Sequence, residues 1–130
     1  MNINEKYNSW IQNVKDEELL NELKSIGNND QEIYDRFYSE LTFGTAGLRG
    51  ILGAGSNRMN IYTVKRAAQG LANYLNKKYI NPSIAIAFDS RIKSDLFASE
   101  AAKTLAANNI KVYISKELQP TPVLSFAVRE

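Results

Sequence analysis

Residues 84–88 read Ile-Ala-Ile-Ala-Phe, the longest near-continuous apolar run of the chain, and Asp-Ser-Arg follows at 89–91. A short apolar run that ends in polar turn residues is typical of a strand covered on both faces. On either side of it, apolar residues recur at helical spacing, from Val64 to Leu75 and from Phe97 to Leu105. The run and its two flanking helices predict an α/β domain that is layered helix–sheet–helix.

Further elements extend this pattern in both directions. Strands are predicted at 111–114 and, upstream, in the segment that contains Leu48, Ile51 and Leu52. The prolines at 120 and 122 break the chain, and a final helix is predicted beyond them, with Val123, Leu124 and Ala127 facing inward. Alternating strands and helices favour a sheet with right-handed crossovers, in which ligands bind beyond the carboxyl ends of the parallel strands.

Residues 1–40 have a different, polar and helical character. Apolar side chains recur at helical spacing in three segments, for which Asp16 and Asp30 are candidate N-caps of the second and third. Residues 1–40 are therefore interpreted as an N-terminal helical extension, and residues 41–130 as the α/β domain on which it packs.

Composition excludes several classes of function. The chain has 130 residues, 44% of them hydrophobic and 23% charged, with a net charge of +2 and neither cysteine nor histidine. A nucleic-acid-binding surface is therefore not expected. The residues needed for a Ser-His-Asp triad, a disulfide or an ordinary zinc site are also missing from the sequence. The N-terminus has no apolar leader and the longest apolar run is far short of the ~20 residues of a membrane span, so a cytoplasmic protein is expected.

Residues 43–50 read Phe-Gly-Thr-Ala-Gly-Leu-Arg-Gly. Glycines allow the backbone to approach a ligand closely, its N–H groups can converge on an anion, and the guanidinium of Arg49 suits phosphate oxygens. A phosphate-binding loop is one interpretation; a tight turn at a strand with a solvated arginine is another. A nucleotide-binding loop is less favoured, because the glycine spacing differs and no lysine follows.

Asp89 and Arg91 stand directly after the predicted strand at 84–88, where a functional turn is expected. Asp89 could orient Arg91 or hold the loop through its backbone amides. A capping turn with an exposed arginine fits the same residues.

Three motifs in order, at 43–50, at 85–91 and at 120–129 (Pro-Thr-Pro-Val-Leu-Ser-Phe-Ala-Val-Arg), resemble the first domain of the α-D-phosphohexomutases, the phosphoglucomutase/phosphomannomutase superfamily. The helical extension and the Thr-Ala-Gly-Leu-Arg variant are most similar to the bacterial phosphoglucomutase and phosphopentomutase-like branch.

The resemblance implies an isomerase that exchanges phosphoryl groups between a phosphoserine and a sugar phosphate, through a hexose bisphosphate that also acts as activator. It implies four domains around one cleft, with Mg²⁺ bound by aspartates of a later domain. In this chain it implies phosphate contact by Arg49, with Thr45 and Gly47 in the same loop, and a supporting cleft motif at Asp89 and Arg91.

The family's serine loop is expected shortly after Arg129, beyond Glu130, so no catalytic nucleophile and no metal ligand is expected within these residues. The chain is predicted to be an inactive fragment with a truncated sheet that can self-associate, and whose partners are the remaining domains and a sugar phosphate. A self-contained sugar-phosphate or anion-binding module, or a non-catalytic interaction domain, stays as an alternative.

Overall fold

The computed structural model of the chain describes residues 2–41, 43–44, 47–48, 51–88, 93–116 and 124–129. Within them lie five helices, α1 (Ile3–Asn13), α2 (Glu17–Ser25), α3 (Asp30–Phe37), α4 (Ile61–Lys78) and α5 (Ser94–Ala107). The strands are β1 (Phe43–Gly44), β2 (Gly47–Leu48), β3 (Ser83–Phe88), β4 (Lys111–Lys116) and β5 (Leu124–Arg129). The chain forms two compact units, Met1–Leu41 with Gly50–Thr63 and Thr42–Arg49 with Val64–Glu130.

In the first unit, short polar side chains begin the helices. Asp16 accepts a hydrogen bond from the Leu19 N–H at 3.0 Å, which confirms it as the N-cap of α2. The N-cap of α3 is Asn29, not Asp30, because the side-chain oxygen of Asn29 accepts a hydrogen bond from the Glu32 N–H at 3.1 Å. Asp30 instead occupies the first turn, where its negative charge is favoured by the helix dipole.

The core of the first unit is built around α3. Phe37 is fully buried, and its ring makes edge contacts with Tyr7 and Trp10 at centroid distances of 5.9 and 5.7 Å. The remaining buried apolar side chains of this core are Val14, Leu19, Leu23, Ile33 and Ala54. Ala54 lies in the segment after residue 50, so residues 1–41 bury part of their apolar surface against that later segment.

The second unit contains a five-stranded sheet in the order β1-β2-β5-β3-β4. β3 and β4 are parallel and are joined by α5, while β1, β2, β5 and β3 pair antiparallel in turn. The α/β class is therefore confirmed. The sheet differs from the predicted pattern in one strand, since β5 lies between β2 and β3 and pairs antiparallel with both.

The predicted inward faces of the two long helices are confirmed. The residues of α4 and α5 that are at most 2% exposed are Val64, Ala68, Ala72, Leu75, Phe97, Ala98, Ala101 and Leu105. Asn60 caps α4 by accepting from the Tyr62 and Thr63 N–H groups, both at 3.0 Å. The first residue of α5 is Ser94, and Lys93 precedes it in the left-handed conformation with φ +68°.

The predicted final helix is wrong: residues 124–129 form β5. Their sequence, Leu-Ser-Phe-Ala-Val-Arg, satisfies helical spacing at 124 and 127 but also alternates apolar residues with period two. A helix of this length gains little from its own hydrogen bonds, whereas β5 pairs along its whole length with β3. The register places Phe126 opposite Ile86 and Val128 opposite Ile84, pairs that stabilise a sheet.

The first predicted strand is shorter than expected. Only Leu48 of its three apolar residues lies in a strand, β2, while Ile51 lies outside and Leu52 forms an isolated bridge with Met59. Gly53 and Gly55 turn the chain away at positive φ. None of the helices in the described ranges is both long and apolar enough to cross a membrane.

Candidate functional site at one edge of the sheet

The described residues of the glycine-rich motif, 43–44 and 47–48, form an antiparallel pair of strands, which we call the hairpin. Phe43 pairs with Leu48 and Gly44 with Gly47, in antiparallel register. Two residues separate the paired glycines in the sequence. Gly44 and Gly47 carry no Cβ that would keep a ligand away from the backbone of these two strands.

The ends of the strands converge in one row of the sheet. Leu124, the first residue of β5, pairs with Leu48 on one side and with Phe88 on the other, and Phe88 also pairs with Lys116. Leu48 and Phe88 are thus two strand spacings apart, roughly 10 Å. We call the row formed by Leu48, Leu124, Phe88 and Lys116 the site edge.

Three strands of the sheet end at the site edge. β2 and β3 are both antiparallel to β5, so they run in the same direction, and β4 is parallel to β3. The carboxyl ends of β2, β3 and β4 therefore meet at the site edge. In α/β sheets this is the end of the strands at which ligands bind.

The site residues predicted from the sequence come directly after these strand ends in the chain. Arg49 comes after Leu48, and Asp89 and Arg91 come after Phe88. Thr45, Arg49, Asp89 and Arg91 lie outside the described residues, so their roles stay predictions. Gly47 is described, in β2 and opposite Gly44.

Anion binding is the chemistry that the sequence predicts for the segment after β2, because Arg49 follows Leu48. The hairpin offers backbone groups, and the segment that leaves β2 begins with an arginine, whose planar guanidinium forms paired hydrogen bonds with phosphate oxygens. Charge-assisted contacts of this kind are stronger than neutral ones, because one partner is ionised.

A metal ion is not accommodated by the described part of the chain. Across residues 2–41, 51–88 and the other described ranges, no three acidic side chains group together in a way that could hold one, and the sequence contains no histidine or cysteine. The described residues therefore do not fit Mg²⁺, which prefers several oxygen ligands.

Sequence reasoning missed the part that β5 plays at the site edge. The helix predicted for 124–129 would have left Leu48 and Phe88 unconnected, whereas β5 joins their strands. The available signal was the alternation of Leu124, Phe126 and Val128, which matches the apolar positions of β3.

Comparisons with known proteins agree with this geometry. Residues 40–130 match the family described as phosphoglucomutase/phosphomannomutase, alpha/beta/alpha domain I. A phosphoglucomutase of Staphylococcus haemolyticus is 50% identical over 93 residues, which are 72% of this chain and 17% of that protein.

Two further relatives cover more of the chain. Phosphoglucomutases of Staphylococcus aureus and Staphylococcus epidermidis are each 42% identical, over 92% and 94% of this chain and 21% and 22% of their own lengths. The chain thus spans about a fifth of the length of these curated relatives.

No solved structure gave a significant match. With a family match that extends over the hairpin, the central strands and the site edge, the chain belongs to the phosphoglucomutase/phosphomannomutase family, as a form of its α/β/α domain I.

Proposed function

We propose that the chain is the N-terminal part of a phosphohexomutase, an isomerase that interconverts hexose 1-phosphate and hexose 6-phosphate. The observation that carries the proposal is the match of domain I over residues 40–130, which includes the hairpin and all strands of the site edge. The names of the relatives, all phosphoglucomutases, favour glucose phosphates as substrates.

In this proposal Arg49 contacts a phosphate of the sugar, while Thr45 and Gly47 support the loop that presents it. Asp89 and Arg91 support the same cleft from the end of β3. This assignment is supported by the sheet register, since the strands that end at Leu48 and Phe88 run in the same direction and both pair with Leu124. An arginine–phosphate hydrogen bond contributes about 1.5–3 kcal/mol.

In the proposed reaction the sugar gains one phosphoryl group and loses another, so the sugar and the serine each end with the number of phosphoryl groups with which they began. A phosphoserine transfers its phosphoryl group to the free hydroxyl of the sugar monophosphate, which gives a bisphosphate; the other phosphate then returns to the serine. The serine loop and the Mg²⁺-binding aspartates are assigned to chain beyond Glu130. This chain contributes phosphate contacts and orientation, which need no metal ligand among its described residues.

The partners and location follow from the same assignment. The partners of this domain are the sugar phosphate and the remaining domains of the polypeptide, and its setting is the cytoplasm. Without those domains the 130-residue chain is expected to be inactive and to self-associate at high concentration, which analytical ultracentrifugation would detect as a mass above that of the monomer.

The proposal is tested by a coupled assay that reports glucose 6-phosphate formed from glucose 1-phosphate. We expect turnover by the full-length protein in the presence of Mg²⁺ and catalytic glucose bisphosphate, and none by the 130-residue chain. Mannose and pentose phosphates in the same assay test the substrate preference. Turnover by the 130-residue chain alone would overturn the fragment assignment, and an inactive full-length protein would overturn the mutase assignment.

A further inference from the structure

The two faces of β3 are buried to different extents. Ile84 and Ile86 have no exposed surface, whereas Ala85 and Ala87, which alternate with them, are partly exposed. Successive side chains of a strand point to opposite faces of the sheet. The sheet of the second unit therefore has a buried face, at Ile84 and Ile86, and an accessible one at Ala85 and Ala87, which we call the open face.

The strand order assigns both long helices of this unit to the buried face. β2, β3 and β4 run in the same direction and follow one another across the sheet, so the crossovers through α4 and α5 move in the same direction. Right-handed crossovers of this kind place their helices on one face. None of the described helices of this unit is thereby assigned to the open face.

Contacts between α4 and α5 agree with this assignment. Lys65 Nζ lies 3.5 Å from Glu100 Oε2, and Gln69 Nε2 donates to Asn108 Oδ1, just after α5, at 3.1 Å. Helices on opposite faces would be separated by the thickness of the sheet. These contacts therefore indicate two neighbouring helices on the same face.

The residues of the open face are not those of a sheet surface in water. Tyr113 of β4 pairs with Ala85, which places it on the same face, and it is 49% exposed. A strand with one solvated face alternates apolar residues with polar ones, whereas a strand covered on both faces is apolar throughout. The apolar run at 84–88 is of the second kind, yet the described helices cover only one of its faces.

The family match indicates what covers the other face. Residues 40–130 match a domain described as alpha/beta/alpha, in which a sheet lies between two helical layers. Among the described residues of the second unit, both helices belong to one layer. The chain spans about a fifth of the length of its relatives, so most of their sequence lies outside the matched part.

We propose that the open face is a docking surface for a helix from the polypeptide that follows Glu130 in the full-length protein, with Tyr113 packed against that helix. The inference rests on the proposed function, in which this chain is the N-terminal part of a longer enzyme. An amphipathic helix suits the surface, because its apolar stripe needs an apolar partner and Ala85, Ala87 and Tyr113 provide one.

The accessibility of introduced cysteines tests this inference. The chain has no cysteine, so Tyr113→Cys places one thiol on the open face. Tyr74→Cys is the matched control, because Tyr74 is 54% exposed and belongs to α4. Each variant is treated with N-ethylmaleimide, as the 130-residue chain and as the full-length protein, and mass spectrometry of the peptide that contains the new cysteine gives the rate of modification.

We expect Tyr113→Cys to react at least about tenfold more slowly in the full-length protein than in the 130-residue chain, and Tyr74→Cys to differ by less than about twofold. Ala85→Cys, which retains the Tyr113 ring, repeats the measurement at a second position of the open face. Circular dichroism shows that each variant is folded.

Three results would overturn the inference. The first is equal reactivity of both open-face variants in the two proteins. The second is slow reaction in the 130-residue chain that depends on its concentration, because a second copy would then cover the open face. The third is slow reaction in that chain at every concentration, because the chain would then cover this face itself.

Mutase turnover of the full-length protein is measured separately. Turnover together with reactive thiols at 113 and 85 would refute this inference and leave the proposed function intact. Absence of turnover would refute the proposed function.

Discussion

Arg49→Ala in the full-length protein is expected to lower kcat/KM for glucose 1-phosphate by roughly ten- to a hundredfold, with little change in stability. The loss corresponds to about 1.5–3 kcal/mol, the contribution of one charge-assisted hydrogen bond to a phosphate. The melting temperature should change by less than about 2 °C, because in this account Arg49 contacts the substrate and does not stabilise the fold. Steady-state kinetics and thermal unfolding measure the two effects on the same preparation.

Two further variants serve as controls for Arg49→Ala. Arg49→Lys keeps the charge but not the planar fork, so we expect an intermediate loss. Arg66→Ala removes an exposed arginine of α4 and should leave kcat/KM unchanged. If Arg49→Ala mainly unfolds the protein, or leaves the kinetics unchanged, the motif at 43–50 is a structural turn and not a phosphate contact.

Phe37→Ala is expected to lower the free energy of unfolding by about 3–5 kcal/mol, because it empties the centre of the first unit. Phe37 is fully buried, and its ring makes T-shaped contacts with the rings of Tyr7 and Trp10. Since Trp10 is the only tryptophan of the chain, its fluorescence during urea denaturation reports on this unit.

The neighbouring tyrosine provides the control for Phe37. Tyr38 is 52% exposed and stacks on Tyr34, which is also exposed, at a ring centroid distance of 5.3 Å. Tyr38→Ala should lower the free energy of unfolding by less than about 1 kcal/mol. Equal losses for the two variants would contradict the placement of the core around α3.

The features that the sequence predicts well are local. Asp16 was identifiable as an N-cap because it stands directly before a segment with helical apolar spacing, and in the structure it accepts from the Leu19 N–H. The inward faces of α4 and α5 follow from apolar residues repeated at helical spacing over roughly two and a half to three turns. The one-residue error at Asp30 arises because neighbouring polar residues compete for the same cap position.

The features that the sequence did not reveal depend on distant partners. Residues 124–129 satisfy both a helical and a strand pattern, and the pairing of β5 with β3, about 40 residues earlier in the chain, decides between them. The bond between Glu22 and the Ala54 N–H joins residues 32 apart, and no periodicity predicts it. Arg49 and Asp89 are predicted from motifs alone, and the meeting of the strands that precede them became visible only in the sheet register.

The most direct test of the central claim is phosphorus NMR of the full-length protein incubated with glucose 1-phosphate, Mg²⁺ and a trace of glucose 1,6-bisphosphate. If the chain is the first domain of a phosphohexomutase, the 1-phosphate signal should decline as the 6-phosphate signal grows, with total sugar phosphate conserved and no inorganic phosphate released. A persistent 1-phosphate signal, or its conversion to inorganic phosphate, would contradict the assignment.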